Sequence, residues 1–157
     1  KHRRRQRQMC IRDRLNPAPA QPLGENILKL CDFVTPNEIE AEQITGTPVK
    51  SINDAEIAAG KLLEKGASAA VITLGEQGAL FKDNNQIIHQ PSYEVGPVVE
   101  TTGAGDAFNG GLAVALAEEM PIDKALRFAC ATASISVTRR GTAPSMPDRH
   151  EIDTLIK

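Results

Sequence analysis

The stretch Gly103-Ala104-Gly105-Asp106 combines two glycines, an alanine and a carboxylate at the start of a predicted helix. Small side chains leave the first N–H groups of a helix open, and these donors add to the positive end of the helix dipole. An anion site of this kind suits a transferring phosphoryl group. Asp106 could accept the proton of a substrate hydroxyl and is the candidate catalytic base. The alternative is an ordinary helix start, because the dipole alone favours an aspartate there.

Other familiar catalytic motifs are missing from the sequence. It contains no GxxxxGK[ST], GxSxG or HExxH motif, and no GxGxxG motif, because the third glycine is lacking after Gly105. The three histidines, His2, His89 and His150, are far apart in the chain. A surface or structural role is the simpler interpretation of each, so the hypothesis of phosphoryl transfer depends on residues 103–106 and their surroundings.

Two helix-start signals lie in the first half of the chain. Residues 35–38 (Thr-Pro-Asn-Glu) offer a hydroxyl cap, proline at the first helical position and a carboxylate three residues after the cap, which predicts a helix to about Gly46. Ser51 and Asp54 predict a second helix, which ends at Gly66. The side chains predicted to face inward from it are those of Ile57, Leu62 and Leu63.

A buried strand is predicted at residues 67–74. Its run Ala-Ala-Val-Ile-Thr-Leu is apolar without alternation, which is typical of a central strand covered on both faces. The other elements predicted in this half are a short helix at 25–31, a strand at 32–34, a turn at 75–78, and a hairpin of strands at 79–82 and 86–90.

The second half of the chain is predicted to be helical. One helix covers residues 104–119, Asp123 caps another that runs to about Arg139, and a short helix covers 148–157. Six small residues would let the second of these helices lie close to neighbouring backbone: Ala125, Ala129, Ala131, Ala133, Ser134 and Ser136. Strands followed by helices indicate an α/β protein.

Composition narrows the class of protein. With 157 residues, 41% hydrophobic and 24% charged, the chain has the make-up of one globular domain. No apolar run approaches the roughly 20 residues that span a bilayer, and no signal-peptide pattern is present. The three cysteines form no CxxC pair, which disfavours a disulfide framework and a zinc site. We therefore expect a cytoplasmic protein.

Residues 1–14 contain seven of the 18 basic residues and one of the 20 acidic ones. Such an arm could bind nucleic acid or an acidic membrane surface. Its sequence has no helical or strand period and resembles a translated adaptor fused in frame, so we interpret it as a non-native segment. We accordingly expect no nucleic-acid partner and no membrane partner.

Four segments together resemble the PfkB-type, or ribokinase-like, carbohydrate kinases. They are residues 16–20, 35–38, 103–106 and 142–147. The resemblance implies a ribokinase-like (Rossmann-like) three-layer α/β/α fold, truncated at the N-terminus, with residues 15–157 as the C-terminal nucleotide-binding part. It also implies that Gly103, Ala104 and Gly105 form the anion hole and that Asp106 is the base.

The resemblance implies three cofactors: ATP, Mg²⁺ and K⁺. Asn37 and Glu40 match an Asn-x-x-Glu motif that positions Mg²⁺ and the phosphates through water, although an exposed helix start is the simpler alternative. Cys130 matches a position near the adenine, or is a packed thiol. One turn matches the family's nucleotide contact and consists of Thr73, Leu74, Gly75, Glu76, Gln77 and Gly78. The alternative is a plain turn between two strands.

The K⁺ site implied by the resemblance lies beside the anion hole. Its matching positions are Glu100, Thr102, Ser136, Arg139, Gly141 and Ser145. All except Glu100 and Ser145 would contribute backbone carbonyls. Glu100 replaces the aspartate usual in the family, which lengthens the reach of the carboxylate by roughly one C–C bond. Arg139 and Arg140 could alternatively compensate the dipole at a helix end.

The function implied by the resemblance is ATP-dependent phosphorylation of D-ribose to D-ribose 5-phosphate. The sugar site would lie upstream of this chain, so we expect these residues alone to be inactive and the full-length protein to be a homodimer. One alternative is another sugar or nucleoside kinase of the same family. Another is a non-catalytic module that binds ATP or a sugar phosphate, although a carboxylate beside a phosphate disfavours a pure binder.

Overall fold

The protein, seen in a computed structural model that describes residues 13–18 and 26–157, contains one mixed β-sheet. In the described part the strands are β1 (Arg14–Leu15), β2 (Phe33–Val34), β3 (Ala70–Thr73), β4 (Ala79–Lys82) and β5 (Ile87–Gln90), adjacent in that order. β1, β2 and β3 run parallel, whereas β3, β4 and β5 form an antiparallel meander. The predicted strand at 67–74 and the hairpin after it are confirmed; β3 and β5 are shorter than predicted, and β4 has the predicted bounds.

Five α-helices are present in the described residues. They are α1 (Glu38–Thr45), α2 (Ile52–Glu64), α3 (Ala104–Ala117), α4 (Ile122–Ser136) and α5 (Arg149–Leu155). Two 3₁₀ turns, Leu28–Leu30 and Gly75–Gln77, complete the elements, and the first lies within the short helix predicted at 25–31. No helix of residues 13–18 and 26–157 is long and apolar enough to cross a membrane.

The sheet lies between two layers of helices. On β3, Val71 packs into a cluster with Leu112 of α3 and Leu126 of α4. The next residue, Ile72, packs into a second cluster with Leu62 of α2. Because successive strand residues point to opposite faces, an unbroken apolar run serves both clusters at once. The expected three-layer α/β/α fold is confirmed.

The close packing predicted for the small-residue helix is found between α3 and α4. A Cβ placed on Gly111 of α3 would lie 2.7 Å from the Thr132 hydroxyl oxygen and 3.1 Å from Cα of Ala129, so only glycine fits there. All six small residues named for α4 are buried except Ala133, which is half-buried. This contact holds the start of α3 in a defined position relative to α4.

Two predicted helix starts are wrong. The N-cap of α1 is Asn37 rather than Thr35, because Asn37 Oδ1 accepts from the Glu40 backbone N–H at 2.9 Å. The N-cap of α4 is Pro121, without a side-chain bond, and Asp123 lies in the first turn instead. α3 and α4 also end two to three residues earlier than predicted, at Ala117 and Ser136.

Ile57 does not face inward as predicted and is 47% exposed. The buried positions of α2 are Ala55, Ala58, Ala59 and Leu62. They form the i, i+3, i+4, i+7 stripe of an amphipathic helix, and residue 57 lies off that stripe. The capping prediction for α2 is confirmed, since Ser51 Oγ accepts from the Asp54 backbone N–H at 3.1 Å.

The predicted boundary between residues 14 and 15 falls inside β1, where Arg14 pairs with Phe33 and Leu15 with Val34. Residues 1–12 and 19–25 lie outside the described part. The prediction that residues 1–14 are a non-native segment therefore stays a prediction.

Glu151 connects α5 by hydrogen bonds to the segment that follows α4. Its carboxylate accepts hydrogen bonds from the Arg139 guanidinium and from the Asp148 backbone N–H, the latter at 2.9 Å. The Arg139 bond, followed by that backbone bond, holds the pKa of Glu151 below its ordinary value. A carboxylate whose pKa is lower in the folded state stabilises the fold above its unfolded pKa, and this contribution disappears as the pH falls through its folded pKa.

We therefore expect Glu151→Gln to lower the midpoint of thermal unfolding at pH 7 and to have a smaller effect below about pH 4, where the unfolded carboxyl is protonated. The measurement is thermal unfolding followed by circular dichroism from pH 7 to pH 2. Glu64→Gln is the control, because Glu64 is exposed and has no ion pair within the described residues. Equal losses for Glu151→Gln at both ends of the pH range would contradict the expectation.

Candidate active site

Two of the candidate segments meet at the carboxyl ends of β2 and β3. Asn37 forms an isolated parallel bridge with Thr73, and the Thr73 N–H donates to the Pro36 carbonyl at 3.0 Å. A Cβ on Gly75 would lie 3.8 Å from Oε1 of Glu38. The start of α1 and the turn after β3 are therefore neighbours, at the edge of an α/β sheet where ligands commonly bind.

The start of α3 has an open first turn. Gly103 is its N-cap with φ 86° and ψ 0°, and a Cβ there would lie 3.2 Å from the Thr142 side chain. Beside Gly105, by contrast, no described residue outside the local helix backbone lies within 4 Å of where a Cβ would be. In the part of the chain that the structure describes, the N–H groups of Gly105 and Asp106 have no acceptor. These donors are available to an anion.

Asp106 lies in the first turn of α3 and is exposed. Within residues 13–18 and 26–157 its carboxylate makes no hydrogen bond or ion pair. A carboxylate that has no partner among the described residues and lies next to open N–H donors can accept a proton from a bound hydroxyl.

Asn37 and Glu40 form a capping box rather than an exposed helix start. Besides the Asn37 bond, Glu40 Oε2 accepts from the Asn37 backbone N–H at 3.0 Å. Glu40 is only 7% exposed, yet no lysine or arginine of the described residues pairs with it. A buried carboxylate without a cation fits a nearby Mg²⁺. No group of three or more His, Cys, Asp or Glu side chains in the described part could hold a metal alone, so phosphate and water oxygens would complete the coordination.

The turn after β3 is held in place from β5 and the chain beyond it. His89 Nε2 lies 2.7 Å from the Gln77 carbonyl oxygen and is its donor, and the Ser92 hydroxyl donates to the Glu76 carbonyl at 2.5 Å. Gly75 and Gly78 both have positive φ, 53° and 89°. The two hydrogen bonds fix the Glu76 and Gln77 carbonyls, so His89 has a structural role, one of the two roles expected for it.

Cys130 lies on α4, 3% exposed, with its thiol 3.8 Å from the Gln90 carbonyl oxygen. Burial raises its pKa to about 12, so the thiol stays protonated near neutral pH. Its surroundings are those of a packed core thiol.

The positions matched to a K⁺ site lie on two loops that contact each other. Glu100 Oε2 accepts from the Gly141 N–H at 2.8 Å, and the Glu100 N–H donates to the Val137 carbonyl at 3.2 Å. The carbonyls of Thr102, Arg139 and Gly141 accept no hydrogen bond from any described residue. Oxygens of this kind suit a weakly hydrated cation.

Three of the other matched side chains have partners. The hydroxyl of Ser136 donates to the Ala133 carbonyl at 2.8 Å, that of Ser145 donates to the Thr142 carbonyl at 2.7 Å, and Arg139 pairs with Glu151. The Ser136 carbonyl accepts the Arg139 N–H at 3.2 Å. The serine hydroxyls keep lone pairs that can face a cation, as does the second oxygen of Glu100.

Sequence reasoning missed two residues at this site, Thr35 and Asn109. The Thr35 hydroxyl donates to Asn109 Oδ1 at 2.7 Å, and Asn109 Nδ2 donates to the Gly105 carbonyl at 3.0 Å. The i, i+4 spacing of Gly105 and Asn109 was visible in the sequence. The contact with Thr35 was not, because it joins residues 74 positions apart.

Comparison with known proteins gives the family. The model of the "pfkB family carbohydrate kinase" matches residues 1–149. The chain belongs to this family. Among curated pfkB-type relatives, it is 45% identical over 139 residues to a ribokinase of Haemophilus influenzae, with 87% of this chain and 44% of that protein covered. It is 40% identical over 143 residues to a deoxyribokinase of Salmonella typhi, with 90% and 46% covered.

Solved pfkB-type structures share the fold. The chain superposes on a ribokinase of Arabidopsis thaliana complexed with ribose and ATP with a TM-score of 0.88 and 34% identity, covering 92% of this chain and 47% of that one. For a ribokinase of Thermotoga maritima the TM-score is 0.82 and the identity 39%, with 91% and 48% covered. The chain thus spans about half the length of the relatives it matches.

Proposed function

We propose that residues 15–157 are the C-terminal, nucleotide-binding part of an ATP-dependent sugar kinase that converts D-ribose to D-ribose 5-phosphate. The observation that carries the proposal is the open first turn of α3, where the free N–H groups of Gly105 and Asp106 adjoin a carboxylate that bonds to no described residue, in a pfkB-family chain. An anion pocket beside a proton acceptor is what phosphoryl transfer requires of a protein.

In the proposed reaction, the sugar hydroxyl oxygen attacks the γ-phosphorus of ATP. A new P–O bond forms as the bond from the γ-phosphorus to the bridging oxygen breaks, and ADP leaves with that electron pair. The hydroxyl proton passes to the carboxylate of Asp106. The free N–H groups of Gly105 and Asp106 stabilise charge on the transferring phosphoryl oxygens, whereas the Ala104 N–H donates to the Thr101 carbonyl at 3.1 Å.

The proposed nucleotide site combines the turn at residues 73–78 with the start of α1. Asn37 and Glu40 would hold Mg²⁺ through water, and the ion, when bound, neutralises phosphate charge. The turn offers a backbone whose glycines leave room for the nucleotide. Glu100, Ser145 and the carbonyls of Thr102, Ser136, Arg139 and Gly141 would hold K⁺ next to the anion site.

Support for ribose comes from the names of the relatives, which include ribokinases of H. influenzae and A. thaliana. The Salmonella deoxyribokinase makes 2-deoxy-D-ribose the second candidate. Because the chain spans less than half of the length of each of these relatives, the sugar-binding residues are proposed to lie outside it. A homodimer and a cytoplasmic location are parts of the same proposal.

The test is ATP-dependent phosphorylation by the full-length reading frame, with the 157-residue chain assayed beside it. Acceptors are D-ribose, 2-deoxy-D-ribose and adenosine, and the readouts are ADP release and the phosphorus NMR signal of the product. We expect turnover of D-ribose by the full-length protein and none by the shorter chain. Turnover of a different acceptor alone would contradict ribose as the substrate but support the assignment as a kinase. Tight ATP binding without turnover of any acceptor would favour a non-catalytic module.

A further inference from the structure

The side chain of Asn109 connects the candidate anion site to the segment before α1. Its Nδ2 donates to the Gly105 carbonyl at 3.0 Å, and its Oδ1 accepts from the Thr35 hydroxyl at 2.7 Å. A carbonyl oxygen only accepts, so the amide nitrogen must face Gly105. The amide oxygen then faces Thr35, whose hydroxyl must be the donor. The two hydrogen bonds therefore fix each other's direction.

The Gly105 carbonyl belongs to the same peptide plane as the Asp106 N–H. In a planar trans peptide these two groups point in opposite directions. Asn109 therefore holds the carbonyl toward the body of α3 and keeps the Asp106 N–H directed out of the open first turn. This restraint matters because Gly105 has the backbone freedom of glycine, and no other described part of the chain lies within 4 Å of its Cβ position.

Burial and a backbone hydrogen bond fix the position of Thr35. It is 2% exposed, and its backbone N–H donates to the Leu15 carbonyl at 2.8 Å. Pro36 and Asn37, which follow directly, contact Thr73 at the start of the candidate nucleotide turn. One buried threonine thus links the first turn of α3 to the first turn of α1.

We infer that Thr35 and Asn109 are a positioning pair, which holds the Gly105–Asp106 peptide in register with the Asn37–Glu40 helix start so that anion site and base act on one phosphoryl group. The inference rests on the proposed function. Neither residue contacts the reacting atoms. The pair acts by preorganisation, which catalysis requires to within a fraction of an ångström.

The test uses two near-isosteric variants of the full-length protein. Thr35→Val removes the hydroxyl, and Asn109→Asp keeps the acceptor for Thr35 but loses the donor to Gly105. We expect each to lower kcat by on the order of 10-fold while the KM values for ATP and sugar stay within about twofold. Thr35→Ser, which retains the hydroxyl, should restore most of kcat. Thr45→Val is the control, since its hydroxyl donates to the Ala41 carbonyl at 2.7 Å and accepts from the Thr47 N–H at 3.2 Å, neither of which belongs to α3.

A second readout separates this inference from the proposed function. Inorganic phosphate is titrated into ¹⁵N-labelled protein, and the amide signals of Gly105 and Asp106 are followed. We expect phosphate to shift both signals in the wild type, and about tenfold more phosphate to be needed in Thr35→Val. Wild-type kcat and phosphate response in both folded variants would overturn the positioning pair. No turnover of any acceptor and no phosphate response in the wild type would overturn the proposed function and the pair with it.

Discussion

Asp106→Asn should lower kcat of the full-length kinase by on the order of 10²-fold or more and leave ATP affinity nearly unchanged. Asparagine has almost the same shape as aspartate but cannot take the hydroxyl proton. The Asp106 side chain is exposed and bonds to no described residue, so the substitution breaks no contact that holds α3. The loss should therefore appear in the chemical step rather than in folding or nucleotide binding.

The measurements for Asp106→Asn are steady-state kinetics with D-ribose and ATP binding by calorimetry. Asp123→Asn is a matched control, because Asp123 is also an exposed carboxylate in a helix first turn, that of α4. Both substitutions remove the same interaction with a helix dipole, and only one removes the proposed base. Near-normal turnover in Asp106→Asn would eliminate Asp106 as the base.

Gly78→Ala should lower the stability of the protein more than an alanine at Gly75, the other glycine of the turn at residues 73–78. The new Cβ would lie 2.1 Å from the Gln90 carbonyl oxygen and 2.6 Å from the Pro91 carbonyl carbon, both of them backbone atoms. In addition, Gly78 has φ 89° and ψ −124°, which residues with a side chain avoid. Overpacking and backbone strain together should lower the free energy of unfolding by about 3 kcal/mol or more.

The measurement for Gly78→Ala is urea unfolding, with Gly46→Ala as the control. Gly46 also has positive φ, 70°, but nothing lies within 4 Å of its Cβ position. Its substitution should therefore cost only the backbone term, about 1 kcal/mol. If the two alanine variants lost the same stability, the contact with Gln90 and Pro91 would not be as tight as the structure indicates.

Local patterns in the sequence predicted most of the fold. The apolar run of β3 indicated a strand covered on both faces, and its residues do alternate between the two clusters. The Ser51 cap predicted the start of α2 correctly. Thr35 misled the prediction for α1 because two capping patterns overlap by two residues, and the true cap is the second, at Asn37. The Thr35 hydroxyl serves a tertiary contact instead, which a local pattern cannot reveal.

The candidate site could be predicted only in part. Residues 103–106 carry a local signal of small residues and a carboxylate, so their open helix start was foreseeable. The hydrogen bonds from His89 and Ser92 to the turn at residues 73–78 could not be foreseen, because they depend on how the hairpin folds back on that turn. The hydrogen bond between Glu100 and Gly141 joins residues 41 positions apart, and no spacing rule relates them; only the family resemblance placed both in one site.

The bond between Thr35 and Asn109 also bears on how the chain refolds. It closes a segment of 74 residues, whereas β4 and β5 pair across a short turn between Lys82 and Ile87. Contacts distant in sequence require a larger loss of chain entropy before they form and slow the folding of proteins that depend on them. We therefore expect the meander of β3, β4 and β5 to assemble before α3 docks through this bond on the segment that precedes α1.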